Sequence, residues 1–359
     1  MNRPKSTIKL QPSARLIKLL LALCLPLAAL CLSNLSRSAA AGNDHDAECR
    51  PFMTKYRRPS DVPYPKDNQL TKERELLGRT LFFDPRLSES NWISCATCHN
   101  PALSWSDGLA KGVGHGMKEL GRRTPTILNL AWSEPLFWDG RAQSLEDQAL
   151  GPVASPAEMN LPLDKMMARI KAIPGYHELF AKAYPSEPIS EQTVAKAIAT
   201  FERTIISGQA PFDAWIEGKE NAISEEAKRG FLLFNTKANC AKCHSEWRFT
   251  DDGFHDIGLP GDDVGRGKLF REIEVNQFAF KAPTLRNCDM RAPYMHDGSK
   301  PSLEAVIEFY NEGGKVKRPS LSPEMKPLGL TAQEKRELLA FLKTLTSVDH
   351  PVEVPILPR

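Results

Sequence analysis

The sequence lacks any apolar run long enough to cross a membrane: the longest, residues 19–32, spans about 14 residues against the roughly 20 that a membrane helix needs. Residues 1–18 also lack a single acid and carry Arg3, Lys5, Lys9, Arg15 and Lys18 instead. A basic start, a short apolar run and the small residues Ala39, Ala40 and Ala41 together predict an export signal over residues 1–41, cut near Ala41. The mature chain is therefore expected in the periplasm, without membrane attachment. Cys24 and Cys31 each follow Leu rather than a small residue, which opposes a lipid anchor, and both leave with the signal.

Charge of one sign is lacking too. The 47 basic and 44 acidic residues of the full chain become 41 and 44 once the signal, with six basic groups and no acid, is removed. No clustering of Lys and Arg of the kind that binds phosphates is present, which excludes nucleic acid as a partner class.

Cysteine is scarce, with 8 residues in 359, so its spacing carries information. Cys95-Ala-Thr-Cys98-His99 and Cys240-Ala-Lys-Cys243-His244 are both C-x-x-C-H, the pattern that attaches c-type haem. Two thiols three positions apart reach the two vinyl groups of one porphyrin, and the following His lies under the iron. A zinc site would group four ligands, and a thioredoxin-like pair would sit in a βαβ unit; each motif here instead has its own adjacent His. Two covalent c-type haems are expected, with His99 and His244 as proximal ligands. Cys49 and Cys288 remain, and geometry decides whether they form a disulfide.

The two motifs sit in a repeat. Helical stretches over residues 75–82 and 227–234 precede them. Beyond them Pro125, Thr126 and Asn129 recur as Pro283, Thr284 and Asn287, and Asp139, Gly140, Ser144, Leu145 and Glu146 recur as Asp297, Gly298, Ser302, Leu303 and Glu304, always 158 residues apart. A mostly α fold is expected: two tandem cytochrome c-like haem domains from an internal duplication, 42–207 and 208–359, with an extended, partly mobile tail from Pro351 and short strands at most in the loops. The boundary lies near Ser207-Gly208, after an amphipathic stretch over residues 194–206. Amphipathic helices over residues 144–150 and 302–310 should line the distal sides of the haems. Tyr310 in the second half falls on Pro152 in the first. Proline cannot bind iron, so the duplication predicts a six-coordinate second haem with Tyr310 available as ligand, and a first haem open to peroxide.

Segments around these positions resemble the bacterial di-haem cytochrome c peroxidase and MauG family: Phe137-Trp-Asp-Gly-Arg141, Gly151-Pro152, Glu158-Met159, Phe254-His-Asp-Ile-Gly-Leu-Pro260 and Pro293-Tyr-Met-His-Asp-Gly298. The resemblance runs from about residue 73 to 345. It implies that Trp138 lies between the haems, that Gln148, Pro152 and Glu158 form the first haem's distal pocket with Glu158 as general acid and base, and that His255 and Arg286 hold haem propionates. The peroxidases carry Met where this chain and MauG carry Tyr. A thioether ligand raises a haem's potential, whereas an oxygen ligand favours its oxidised states.

Three positions depart from the family's pattern. Arg123 and Arg291 stand where its calcium ligands usually fall, and two cations disfavour calcium and offer propionate pairing in its place. The Gly-rich loop bearing His115 resembles a peroxidase loop that closes the first haem at rest, a feature MauG lacks. Ala238 replaces a Trp that MauG has near its protein-substrate surface. Tyr310 supports a peroxide-driven, MauG-like oxidation of a partner protein, such as maturation of a tryptophan-derived quinone in methylamine dehydrogenase. His115 supports the alternative, a cytochrome c peroxidase fed by a small redox protein, a c-type cytochrome or cupredoxin. A non-enzymatic di-haem electron carrier would need no distal acid, so Glu158 opposes it.

Overall fold

The structure, a computed structural model, describes residues 45–359; the expected export signal, with Cys24, Cys31 and Ala41, lies outside them. Among the described residues no helix is long and apolar enough to cross a membrane.

The fold is mostly helical, with long ordered loops. In chain order the helices are α1 (Lys72–Phe83), α2 (Cys95–Cys98), α3 (Leu145–Gln148), α4 (Gly151–Ala154), α5 (Leu163–Lys171), α6 (Pro174–Ala183), α7 (Glu191–Arg203), α8 (Pro211–Ile216), α9 (Glu225–Asn235), α10 (Leu303–Asn311) and α11 (Ala332–Lys343). Two-residue strands β1 (Phe254–His255) and β2 (Phe280–Lys281) pair antiparallel, Phe254 opposite Lys281. Hydroxyl side chains begin the longer helices: Thr71, Ser190, Ser224, Ser302 and Thr331 each accept a backbone N–H of the first turn.

Two helix pairs make the framework, α1 against α7 and α9 against α11. Each crossing is closed by a glycine. A Cβ on Gly78 would lie 1.9 Å from Ala197 O and 2.9 Å from Phe201 Cβ, and one on Gly230 would lie 2.0 Å from Glu337 O and 2.8 Å from Phe341 Cβ. The missing side chain lets the backbones touch, so both partner helices present their rings to the interior. Phe82, Phe201 and Trp105 pack edge to face on one side, and Tyr56, Phe212, Phe231, Phe249 and Phe341 on the other.

The resulting cores have an unexpected membership. One gathers buried side chains from Leu77 to Ile205 with Val352 packed against it, whereas the other joins Cys49 and Tyr56 to side chains from Phe212 to Leu345. The tail is extended, as expected, and is fastened: Gly175 N donates to Arg359 O at 2.9 Å and Arg86 Nη1 to Pro358 O at 3.0 Å. Cys49 and Cys288 share the second core as thiols, with Sγ 3.5 Å from Lys228 O and 3.8 Å from Leu342 O.

Two expected helices are shorter than their sequence patterns. The stretch at 144–150 breaks after Gln148 and restarts at Gly151, because Pro152 supplies no N–H to continue the ladder. Helix α7 ends at Arg203 rather than 206, since Asn129 N takes the carbonyl of Ile205 and draws the chain away.

Glu202, on α7, is 5% exposed and its Oε2 has no hydrogen-bond partner. Burial, opposed by Arg203 and reinforced by Glu146, raises its carboxyl from the ordinary 4.5 to about 8. Below about pH 4.5 the group is neutral folded and unfolded and has no effect on stability. Between there and pH 8 folding takes up a proton, so this group's penalty grows with pH and is complete above 8, at a few kcal/mol on a scale of about 1.4 kcal/mol per pKa unit.

Gly78→Ala or Gly230→Ala should destabilise the protein by about 1–3 kcal/mol through overpacking. Gly151→Ala, whose Cβ would meet only Phe137 Cζ at an ordinary 3.5 Å, should melt like the parent; equal melting of all three would refute the close-crossing account. For Glu202→Gln, the melting temperature relative to the parent should climb between pH 5 and pH 9. Parallel curves across that range would mean that Glu202 is ionised in the fold.

Candidate functional site

Two cavities open beside the helix pairs, of about 510 and 210 Å³. Cys95, Cys98 and His99 line the first, and Cys240, Cys243 and His244 the second. Burial pushes the thiols of Cys95, Cys98 and Cys240 up, Cys98 to about 11 and Cys240 to about 12, the reverse of an activated redox cysteine. It pushes both imidazoles down, which keeps them neutral and able to bind metal.

Each imidazole is aimed by a residue that the sequence did not disclose. His99 Nδ1 lies 3.3 Å from Trp105 O and His244 Nδ1 3.0 Å from Phe249 O. Donation from Nδ1 to a carbonyl fixes the tautomer and leaves Nε2 as the lone-pair nitrogen. Both carbonyls come from bulky residues in the left-handed region, Trp105 at φ 60° and Phe249 at φ 55°, a conformation rare for such side chains. Their buried rings hold it: Trp105 packs on Phe82 and Phe201, Phe249 on Phe234 and Phe341. Two thiols, a neutral His and largely apolar walls fit a covalent haem in each cavity.

Gln148, Pro152 and Glu158 all line the first cavity, as does Glu202, which sequence reasoning missed because helix pattern cannot distinguish a buried acid from a solvated one. Glu146 fixes α3 by accepting both guanidinium arms of Arg203, at 2.7 and 2.8 Å. Met159 N donates to Pro152 O at 3.1 Å, tying the Glu158 segment to α4. His115 is not in the cavity wall. Its backbone N bonds Glu158 O at 2.8 Å, while its Nδ1 is buried without a partner.

In the second cavity Tyr310, on α10, joins Ala238, His255 and Met295. Tyr56, Tyr176, Tyr184 and Tyr294 each donate their hydroxyl to a protein acceptor. Tyr310 Oη has no such partner among the described residues, and burial pushes its hydroxyl up. Lys335 on Glu308 at 2.6 Å and Leu330 N on Asn311 Oδ1 at 2.8 Å hold α10 in place. Asp251, 2.8 Å from Nε2, holds the His255 imidazole above its ordinary range at the cavity wall. Arg286 lies outside both walls and faces Asp213 at 2.8 Å.

Trp138 lines both cavities, together with Tyr294 and Met295. Its indole N–H donates to Arg123 O at 2.8 Å. Arg123 and Arg291 line the first cavity beside it, so this stretch of wall holds two guanidiniums.

The di-haem cytochrome c peroxidase family matches residues 72–221. The methylamine utilization protein MauG of Methylorubrum extorquens is 55% identical over 310 residues, 86% of this chain and 88% of that protein. MauG of Methylophilus methylotrophus is 47% identical, over 86% of this chain and 93% of that one. The crystal structure of a MauG-like protein associated with microbial copper homeostasis superposes with a TM-score of 0.74 at 34% identity, covering 81% of this chain and 95% of the other. With its two Cys-Cys-His cavities, the chain belongs to the di-haem cytochrome c peroxidase and MauG family, oxidoreductases that carry two c-type haems.

Proposed function

We propose that the chain is an exported, periplasmic, peroxide-driven oxidase of the MauG kind, which withdraws electrons at a distance from residues of a partner protein. The partner class is a precursor of a tryptophan-derived quinone, as in methylamine dehydrogenase. The observation that carries this reading is the unpartnered hydroxyl of Tyr310 in the second cavity. The bound haems supply iron that accepts oxidising equivalents from peroxide. Tyr310 offers the second iron a hard oxygen donor, which holds its potential low. Glu158 takes a proton from one peroxide oxygen and returns it to the departing one, which leaves as water. Gln148 would orient the peroxide, and Pro152, without a side-chain donor, would offer the first iron no ligand from this stretch of wall. Trp138 is the aromatic bridge in the shared wall.

The two-domain duplication belongs to the same proposal. Asn129 and Asn287 both sit at left-handed φ, 62° and 56°, and each donates its backbone N–H to the carbonyl shortly after its half's second framework helix, Ile205 and Leu345. Met295 in the wall of both cavities favours a second reading, a cytochrome c peroxidase with thioether ligation and a small cytochrome as donor.

Glu158→Gln should slow the spectral response to added peroxide by about 10²-fold or more, the scale of a lost general acid and base, with haem content unchanged. An undiminished rate would move the proton transfer to another group. In the parent, the second haem should titrate at low potential and turnover with reduced cytochrome c should be poor. Tyr310→Met should raise that potential by about 0.2 V, more than a thousandfold in the equilibrium, and improve that turnover. A parent potential already high and unmoved by the substitution would assign the iron to Met295 and favour the peroxidase reading.

A further inference from the structure

Among the described residues four arginines are buried: Arg123, Arg203, Arg286 and Arg291. Arg203 faces Glu146 at 2.7 Å and Arg286 faces Asp213 at 2.8 Å. Arg123 and Arg291, 5% and 6% exposed, make no contact ion pair with a carboxylate; Asp107 and Asp349 act on them only from a distance. Their donors reach only main-chain carbonyls: Arg123 Nη1 to Thr124 O at 3.1 Å and Nη2 to Arg291 O at 2.7 Å, Arg291 Nε to Asn287 O at 3.3 Å, and Arg291 Nη2 to Thr284 O at 2.8 Å and Arg286 O at 2.6 Å. Arg123 Nε is buried with no partner at all.

Both side chains line the first cavity in the stretch that carries Trp138. Two like charges removed from water cost several kcal/mol each unless an anion meets them. Burial and, for Arg291, the charge of Arg123 push these groups down, Arg291 to about 10, which still leaves both cationic at neutral pH. The polypeptide therefore builds half of an ion pair and leaves the other half to whatever fills the cavity. A guanidinium fork matches a carboxylate, and the carboxylates of a haem are its propionates.

We propose that Arg123 and Arg291 are a built-in dication that neutralises haem propionates at the wall between the two cavities, so that this chain sets its haems without a divalent metal ion. The proposal rests on the two-haem reading and concerns positioning residues. Arg123 is also the structural knot of that wall: its O accepts the Trp138 indole, its N donates to His296 O at 2.8 Å, and its guanidinium grips Arg291 O. Losing its charge would be felt where the cavities meet.

The test uses the matured holoprotein and the variants Arg123→Gln, Arg291→Gln and Arg123→Lys. Pyridine haemochrome analysis first counts haems; fewer than two in the parent would end the two-haem reading itself. With two haems retained, each Gln variant should show at least one haem potential displaced to the negative side by tenfold or more in the reduction equilibrium, which is 59 mV for one electron. Arg123→Lys, which keeps a charge, should recover much of that displacement. In the parent, EGTA treatment followed by calcium should change neither the potentials nor the melting temperature. Two haems with potentials unmoved in both Gln variants would overturn the proposal. So would a parent whose potentials shift with EGTA and return with calcium, a result that stands even if a Gln variant fails to mature.

Discussion

The orientation of two imidazoles is the constraint on which the rest of this structure depends. A histidine beside a C-x-x-C pair is of use to iron only if its ring is turned and its tautomer fixed, and here each ring is set by one carbonyl. That carbonyl points the right way because Trp105 and Phe249 are held in a backbone conformation that large side chains avoid. The aromatic cores supply the restraint, and the cores in turn exist because Gly78 and Gly230 let their helices cross at backbone contact. Packing several residues away from the cavities thus reaches the ligand atoms through a short chain of contacts.

On this common support the two halves diverge where chemistry requires it. Helix α10 runs unbroken and delivers Tyr310 into its cavity, while its counterpart is split at Pro152 into α3 and α4. Pro152 thereby bends the wall that carries Gln148 and Glu158 and brings no polar side chain to it. The asymmetry is produced by a missing N–H, with no change in the framework that holds it.

Much of this was legible in the sequence because it is written in short spacings. The C-x-x-C-H motifs and the framework helices depend on residues a few positions apart. Trp105 and Phe249 were not legible, since nothing in an aromatic residue announces a left-handed backbone that distant rings enforce. Glu202 and the burial of Arg123 and Arg291 without a contact ion pair were hidden for a similar reason: burial and the want of a close partner are properties of the assembled fold. The packing of Tyr56 was hidden too, because it rests on side chains more than 150 positions away, such as Phe212 and Phe231.

That exchange of segments governs how the halves can move. Tyr56 is locked among the rings of the second core, and Val352 and Arg359 are fastened to the first half. The polypeptide therefore crosses between the halves on both flanks as well as through residues 206–211. Bodies joined by a single linker would swing freely, whereas a triple crossing resists hinge opening unless packed side chains are pulled from a core. The wall that the two cavities share, in which Trp138 sits, is accordingly braced by packing on both flanks and not by the linker alone.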